Sequence, residues 1–132
     1  MNRMLDTNIC IYLIKKHPSQ IIARFKKCNV QDICISSIVL SDLEFGVYNS
    51  EHVTKNSIAL TKFLIPFDLV GFDDVAAKKY GQIRAIMERK GLVIGPYDLL
   101  IAAHALSLNL VLVTNNVREF SRVPDLRVEN WV

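Results

Sequence analysis

Residues 95–113, GPYDLLIAAHALSLNLVLV, contain a helix start, a helix that is apolar on nearly every side, and a short strand. Pro96 suits the first position of a helix, and Asp98 falls in its first turn. A helix that is apolar all round must be covered by other elements. Residues 110–113 are a compact apolar run that predicts a buried strand. This stretch therefore predicts a layered α/β fold with one helix in its interior.

The rest of the chain alternates strands and helices in the same way. Further strands are predicted to end at Leu5 and to cover 32–36, 68–72 and, as a short final strand, 126–128. Helices are predicted after Asp6 and over about 18–28, 38–47, 53–64 and 74–90. The core-facing positions are predicted to be Leu40, Leu43 and Val47 in the helix at 38–47. In the helix at 74–90 they are predicted to be Val75, Tyr80, Ile83 and Met87. Strands separated by helices favour a mainly parallel sheet covered on both faces, an α/β class.

Length and composition indicate one domain, residues 1–132, because 51% of the residues are hydrophobic and supply a single core. No run of about 18 apolar residues lacks charge, which argues against a signal peptide or a membrane span. We therefore expect a cytoplasmic protein without membrane contact. The three cysteines have no CxxC spacing, so neither a disulfide framework nor a zinc site is predicted.

The net charge of +3 is too small to establish nucleic-acid binding. The basic residues nevertheless fall into two clusters, which either contact a phosphate backbone or form solvated helix faces. The clusters are Lys15, Lys16, Arg24, Lys26 and Lys27, and Lys78, Lys79, Arg84, Arg89 and Lys90.

Three aspartates occupy positions where a parallel α/β sheet binds ligands. Asp6 directly follows the first strand, although aspartate there is also a good helix N-cap. Asp98 suits the helix dipole, but its apolar neighbourhood would leave its charge without a partner unless a cation binds. Asp42 interrupts an apolar helix face. Glu44 is its rival, and two residues along a helix are about 200° apart, so only one of them can point into the site.

Carboxylate oxygens suit Mg²⁺ or Mn²⁺, and clustered acids repel one another unless a cation is present. This combination predicts metal-assisted hydrolysis of a phosphate ester. Thr114 and Asn116 follow the strand at 110–113, either as a polar turn or as supports for a ligating carboxylate. His104 lies about 240° around the helix from Asp98, which favours a structural role.

Four separated motifs and the chain end carry a family resemblance. They are LDTN at 5–8, SSIVLSDLEFG at 36–46, GPYDLLIAAHA at 95–105, VLVTNNVREF at 111–120 and RVENWV at 127–132. In this order and spacing they resemble the VapC toxins of bacterial toxin–antitoxin modules. The resemblance implies a PIN-like three-layer α/β/α sandwich with a short, mainly parallel sheet.

The same resemblance implies an Mg²⁺- or Mn²⁺-dependent endoribonuclease that forms a homodimer and is inhibited by a VapB-like antitoxin. DNA would be contacted only through the antitoxin. The RNA substrate is expected to be tRNA, and the GPYD and TNNxREF patterns are similar to the group that cleaves initiator tRNA in its anticodon loop.

Carried over residue by residue, the resemblance makes Asp6, Asp42 and Asp98 the metal-binding and catalytic acids. Asp42 outranks Glu44 because it begins the acid-Leu-x-x-Gly motif. Glutamate is usual at this position, and the shorter aspartate sets the carboxylate back by about 1.5 Å. The fourth acidic position of the family falls on Asn116, which has no charge. Glu119 would supply the missing negative charge. The residues expected to support the acids are Thr114, Asn116, Asn8 and Glu119.

Two other functions are compatible with parts of the pattern. Asp42 and Asn116, each replacing a usual residue, would suit a catalytically weak module that binds RNA or antitoxin. A strand followed by Asp6 would also suit a haloacid-dehalogenase-like phosphatase. That class needs a second Asp two residues later, where this chain has Asn8, so it is disfavoured.

Overall fold

The computed structural model describes residues 1–132. Five strands are present: β1 (Arg3–Leu5), β2 (Ile33–Ser36), β3 (Asp68–Val70), β4 (Val111–Val113) and β5 (Val128–Glu129). The seven helices are α1 (Thr7–Lys15), α2 (Ser19–Lys26), α3 (Ser37–Tyr48), α4 (Val53–Leu64), α5 (Asp74–Arg89), α6 (Pro96–Ser107) and α7 (Val117–Phe120). A short 3₁₀ turn, Val30–Asp32, leads into β2.

The strands form one sheet in the order β3-β2-β1-β4-β5, and every neighbouring pair is parallel. In the centre, Met4 lies opposite Cys34 on one side and Leu112 on the other. Helices flank this sheet, so the predicted three-layer α/β class is confirmed. The strands β2 and β3 are added on one side of β1, and β4 and β5 on the other. The strand order therefore reverses between β1 and β4, and parallel α/β sheets bind ligands at such a switch point.

Three helices begin with a side chain that caps the first turn. The side chain of Asp6 caps α1, Ser36 caps α3 by accepting from the Ile38 N–H, and Asp73 caps α5 by accepting from the Ala76 N–H. Gly91 follows α5 at φ 68°, a left-handed conformation that glycine adopts without a Cβ penalty. These caps fix where each helix begins relative to the strand before it.

The hydrophobic core is one cluster of 28 buried residues, and α6 lies within it. Leu99 and the run from Ile101 to Ala105 are all buried, and α6 contacts α5, α3 and β4. The interior helix is therefore confirmed. His104 lies on its buried face, where Nδ1 is 2.8 Å from Ser36 Oγ and the ring meets Phe72 edge-on. This packing supports the structural role expected for His104.

Several boundaries and core positions differ from the predictions. The final strand lies at Val128–Glu129, and α7 was not predicted. Val75 is 57% exposed, and Ala76 is buried in its place. Val39 is fully buried, while Leu40 is only half-buried. The other buried positions agree with the prediction, because Leu43 and Val47 of α3 and Ile83 and Met87 of α5 are buried.

All three cysteines are free thiols, with Cys10 and Cys34 buried and Cys28 half-buried. None of the helices combines the length and the apolar character that crossing a bilayer requires.

Candidate active site

Asp6 lies at the switch point between β1 and β4, where the strand order of the sheet reverses. Its backbone N–H donates to the carbonyl of Val113 at 2.9 Å, so β1 and β4 remain paired up to this residue. The carboxyl ends of the two strands therefore bring Asp6 next to the turn 114–116. This is the location that the sequence predicted for a ligand-binding acid.

The Asp6 side chain is buried, with 5% of its surface exposed, and both carboxylate oxygens accept hydrogen bonds. The Thr7 N–H donates to Oδ1 at 2.8 Å, and the Thr114 hydroxyl donates to Oδ2 at 2.7 Å. Burial raises the pKa of Asp6, and the nearby charge of Asp42 raises it further, while the two hydrogen bonds oppose these effects. Asp6 is thus a strongly held carboxylate in an unfavourable electrostatic position.

Asp42 reaches the same site from α3. It is half-buried, and its Oδ2 accepts a hydrogen bond from the Thr7 hydroxyl at 3.1 Å. The charge of Asp42 acts on both Asp6 and Asp98, whereas Glu44 acts on neither. The structure therefore places Asp42, and not Glu44, beside the other two acids.

Asp98 completes the group from the first turn of α6. Its Oδ2 accepts a weak hydrogen bond, 3.4 Å long, from the Asn116 side-chain amide. Burial raises its pKa to about 6, with further contributions from the negative charges of Asp6, Glu119 and Asp42. None of the three acids (Asp6, Asp42 and Asp98) forms an ion pair. Their mutual repulsion is therefore not offset by a paired Lys, Arg or His side chain.

The predicted supporting residues differ in how close they come. Thr114 is fully buried, and its hydroxyl also accepts from the Asn116 N–H at 3.0 Å, which orders the turn. Glu119 lies near enough to act on the charge of Asp98, but it pairs with Arg122 at 3.5 Å. Asn8 is exposed and makes no hydrogen bond to the three acids.

Two neighbouring residues were not among the predicted ones. Thr7 contacts both Asp6 and Asp42, and Asn115 donates to the Tyr12 hydroxyl at 3.1 Å while its own Oδ1 is buried without a partner. Both residues lie in motifs that carry the family resemblance, Thr7 in LDTN and Asn115 in VLVTNNVREF, so the sequence indicated the segments that form the site. It did not reveal these contacts, which join positions distant along the chain.

The donor set fits a hard divalent cation, although no cage is preformed. No three His, Cys, Asp or Glu side chains lie close enough together to hold a metal ion as they stand. Mg²⁺ does not require such a cage, because it keeps several waters and binds through one or two carboxylates. The carboxylate oxygens are donors that suit such an ion. Its positive charge would offset the repulsion among the acids and lower the raised pKa of Asp98.

Comparison with known proteins agrees with this architecture. Residues 3–126 match the family model described as PIN domain. The chain is 46% identical over 128 residues to the tRNA(fMet)-specific endonuclease VapC of Salmonella typhimurium, covering 97% of this chain and 96% of that protein. It is 45% identical over 129 residues to Ribonuclease VapC2 of Rickettsia felis, with 97% and 96% covered.

Solved structures show the same relationship. The DNA-bound VapBC structure from Salmonella typhimurium superposes with a TM-score of 0.94 at 45% identity, covering 100% of this chain and 99% of that one. VapBC2 of Rickettsia felis, bound to a promoter DNA fragment, gives a TM-score of 0.90 at 43% identity over both full chains. These matches define a PIN-domain fold. The chain belongs to the PIN-domain family and, within it, to the VapC group.

Proposed function

We propose that this chain is the toxin ribonuclease of a VapBC toxin–antitoxin module, an Mg²⁺- or Mn²⁺-dependent endoribonuclease that hydrolyses tRNA. The observation that carries the proposal is the meeting of three acids, from the end of β1, from α3 and from the start of α6, without a cationic partner. A structural role alone would pair or disperse these charges, since buried unpaired carboxylates destabilise a fold. The family relationship supplies the reaction class.

Asp6, Asp42 and Asp98 would hold the divalent ion. When bound there, such an ion would supply Lewis-acid activation of the phosphate ester and of the attacking water. The residues of the chain do the positioning: Thr114 and the Thr7 N–H each hold one oxygen of Asp6. The carboxylate of Asp6 is therefore fixed before substrate arrives, which lowers the cost of ordering the site during the reaction. No covalent intermediate with the enzyme is required.

The polynucleotide must also be held near the acids. A groove of about 320 Å³ is lined by residues of α1, α3 and α4 and includes both Asp42 and Lys15. Lys15 is exposed, and the exposed Lys16 follows it at the end of α1. Cations at this position would attract the phosphate backbone and make RNA binding dependent on salt.

Partners are proposed from the relatives. The two solved structures described above are VapBC complexes, which supports a VapB-like antitoxin as the inhibitor of this chain. The tRNA(fMet)-specific relative supports a tRNA substrate, with initiator tRNA as the first to test. Homodimer formation, and contact with DNA only through the antitoxin, remain predictions.

Purified chain, freed of metal and of antitoxin, should cleave initiator tRNA when Mg²⁺ or Mn²⁺ is added and should not cleave it in EDTA. Asp6→Asn and Asp98→Asn should each lower the cleavage rate by at least about 100-fold. Asp74→Asn is the matched control, because Asp74 is an exposed acid in the first turn of α5. Equal cleavage by the parent chain and both site variants would refute the assignment.

A catalytically weak module that binds RNA or antitoxin is the second candidate. One observation favours it: no three His, Cys, Asp or Glu side chains lie close enough together to form a ready metal cluster. If the parent chain is inactive while Asp42→Glu cleaves RNA, the second candidate is correct. Cleavage and growth arrest by the parent chain exclude it.

A further inference from the structure

Thr7 touches two of the three acids at once. It is the first residue of α1, where its N–H donates to Asp6 Oδ1 at 2.8 Å and its hydroxyl donates to Asp42 Oδ2 at 3.1 Å. Asp6 and Asp42 approach from different elements, the end of β1 and the middle of α3. Thr7 is the residue that links them through direct hydrogen bonds.

Asp42 depends on this contact more than Asp6 depends on either of its own two hydrogen bonds. Asp6 is held by two donors, and Asp98 by the Asn116 amide. Asp42 accepts one hydrogen bond, from the Thr7 hydroxyl, and has no ion pair. Without it, a half-buried carboxylate on a short side chain would be free to turn towards solvent, because the negative charge of Asp6 repels it.

We propose that Thr7 is a positioning residue, whose hydroxyl holds the short Asp42 side chain in the orientation that a divalent cation requires. This inference rests on the proposed function. The hydroxyl engages Oδ2, and no hydrogen bond is made to Oδ1, which stays available for a cation or its water. Thr7 thereby compensates in part for the missing methylene of Asp42.

A purely structural role would look different in experiment. The same hydrogen bond also joins α1 to α3, so its loss would lower stability even if it had no effect on the acids. Cation affinity separates the two roles, because it depends on where the Asp42 carboxylate points. Mn²⁺ binding by the metal-free protein is therefore the main readout, with urea unfolding in EDTA measured alongside it.

Thr7→Val removes the hydroxyl at nearly constant shape, and Thr7→Ser keeps it. We expect Thr7→Val to weaken Mn²⁺ binding about tenfold, as for the loss of one hydrogen bond to a charged group, and Thr7→Ser to recover most of the affinity. Thr61→Val is the matched control. The Thr61 hydroxyl donates to the Ser57 carbonyl at 2.9 Å on an exposed face of α4, so its loss should leave Mn²⁺ binding unchanged.

Combining Thr7→Val with Asp42→Glu tests the link between the two side chains. The longer side chain carries its carboxylate about 1.5 Å further and no longer needs Thr7. In that background Thr7→Val should therefore change Mn²⁺ affinity less than about twofold. An equal tenfold loss in both backgrounds would overturn the proposal, because Thr7 would then act independently of Asp42.

The remaining outcomes separate this proposal from the proposed function. If the parent chain binds Mn²⁺ and cleaves RNA, and Thr7→Val binds and cleaves equally well, only the role of Thr7 is refuted. If the parent chain neither binds Mn²⁺ nor cleaves RNA, the proposed function fails, and the role of Thr7 fails with it. A tenfold loss in Thr7→Val, absent from Thr61→Val and largely recovered in Thr7→Ser, supports the proposal.

Discussion

Replacing Asp98 by asparagine should make the metal-free protein more stable while it lowers the rate of RNA cleavage by at least about 100-fold. Burial raises the pKa of Asp98 from 3.8 to about 6, with help from the charges of Asp6, Glu119 and Asp42. At neutral pH the folded chain therefore holds a carboxylate that would be better solvated in the unfolded chain. Asparagine has nearly the shape of the protonated acid, so Asp98→Asn removes the unfavourable charge.

The size of the effect follows from the shift in pKa. A shift from 3.8 to about 6 corresponds, at about 1.4 kcal/mol per pKa unit, to about 3 kcal/mol in the free energy of unfolding. Asp98 is only half-buried, so solvent screening reduces this to about 1–2 kcal/mol. For a chain of this size we expect the melting temperature to rise by about 5 °C.

The pH dependence has a definite sign. Between pH values of about 4 and 6 the folded chain keeps a proton on Asp98 that the unfolded chain has released. The proton stabilises the folded parent chain fully below the pKa of Asp98 in the unfolded chain, about 4. This stabilisation is lost as the pH rises through the pKa in the folded chain, about 6. Asp98→Asn should lack this loss, so the two proteins should diverge in stability between about pH 4 and 6 and differ most above that range.

Urea unfolding in EDTA, at pH 4.5 and pH 8, measures both effects. Asp74→Asn is the control, because Asp74 also lies in the first turn of a helix but is exposed. It should lose about 0.3–1 kcal/mol from its favourable interaction with the helix dipole. If Asp98→Asn is likewise destabilised at pH 8, Asp98 is an ordinary helix-start acid, and the reasoning from burial and repulsion is wrong.

Three further measurements test other parts of the structure. Mn²⁺ at about 100 times its dissociation constant should stabilise the chain by about 2.7 kcal/mol; no stabilisation would contradict a cation site in the fold. Ile101→Ala, in the buried face of α6, should lower the free energy of unfolding in urea by about 2–5 kcal/mol. Ile86→Ala, at an exposed position of α5, is the control, and an equal decrease in both variants would contradict the interior helix. Lys15→Gln should weaken RNA binding and lower its salt slope by about one; an unchanged slope would exclude a phosphate contact.

Most of the fold could be predicted because its signals are local. Compact apolar strand runs separated by helical segments identified the main elements, and the apolar sequence of α6 identified the interior helix. The two elements that were missed or misplaced are α7, with four residues, and β5, with two. Segments of this length contain too little periodicity to read, since one helical turn already takes about 3.6 residues.

The candidate site was predictable only in part. Asp6 and Asp98 follow from their positions after a strand and at a helix start. Asp42 could be separated from Glu44 only by resemblance, because helical periodicity shows that the two point apart but not which one points inward. The contact between Thr7 and Asp42 spans 35 positions along the chain and depends on how α1 packs against α3. No local pattern reports such a contact.

Asp6 shows that the structural and functional interpretations of an acid need not exclude each other. It caps α1 through Oδ1, and it accepts the Thr114 hydroxyl through Oδ2. A carboxylate has about four lone-pair positions, so these two bonds orient Asp6 and still leave positions for a cation. Asparagine is also a good N-cap, whereas alanine is not. Asp6→Asn therefore preserves the start of α1 and removes the charge, so a loss of cleavage in that variant reflects chemistry at the site and not a disordered helix.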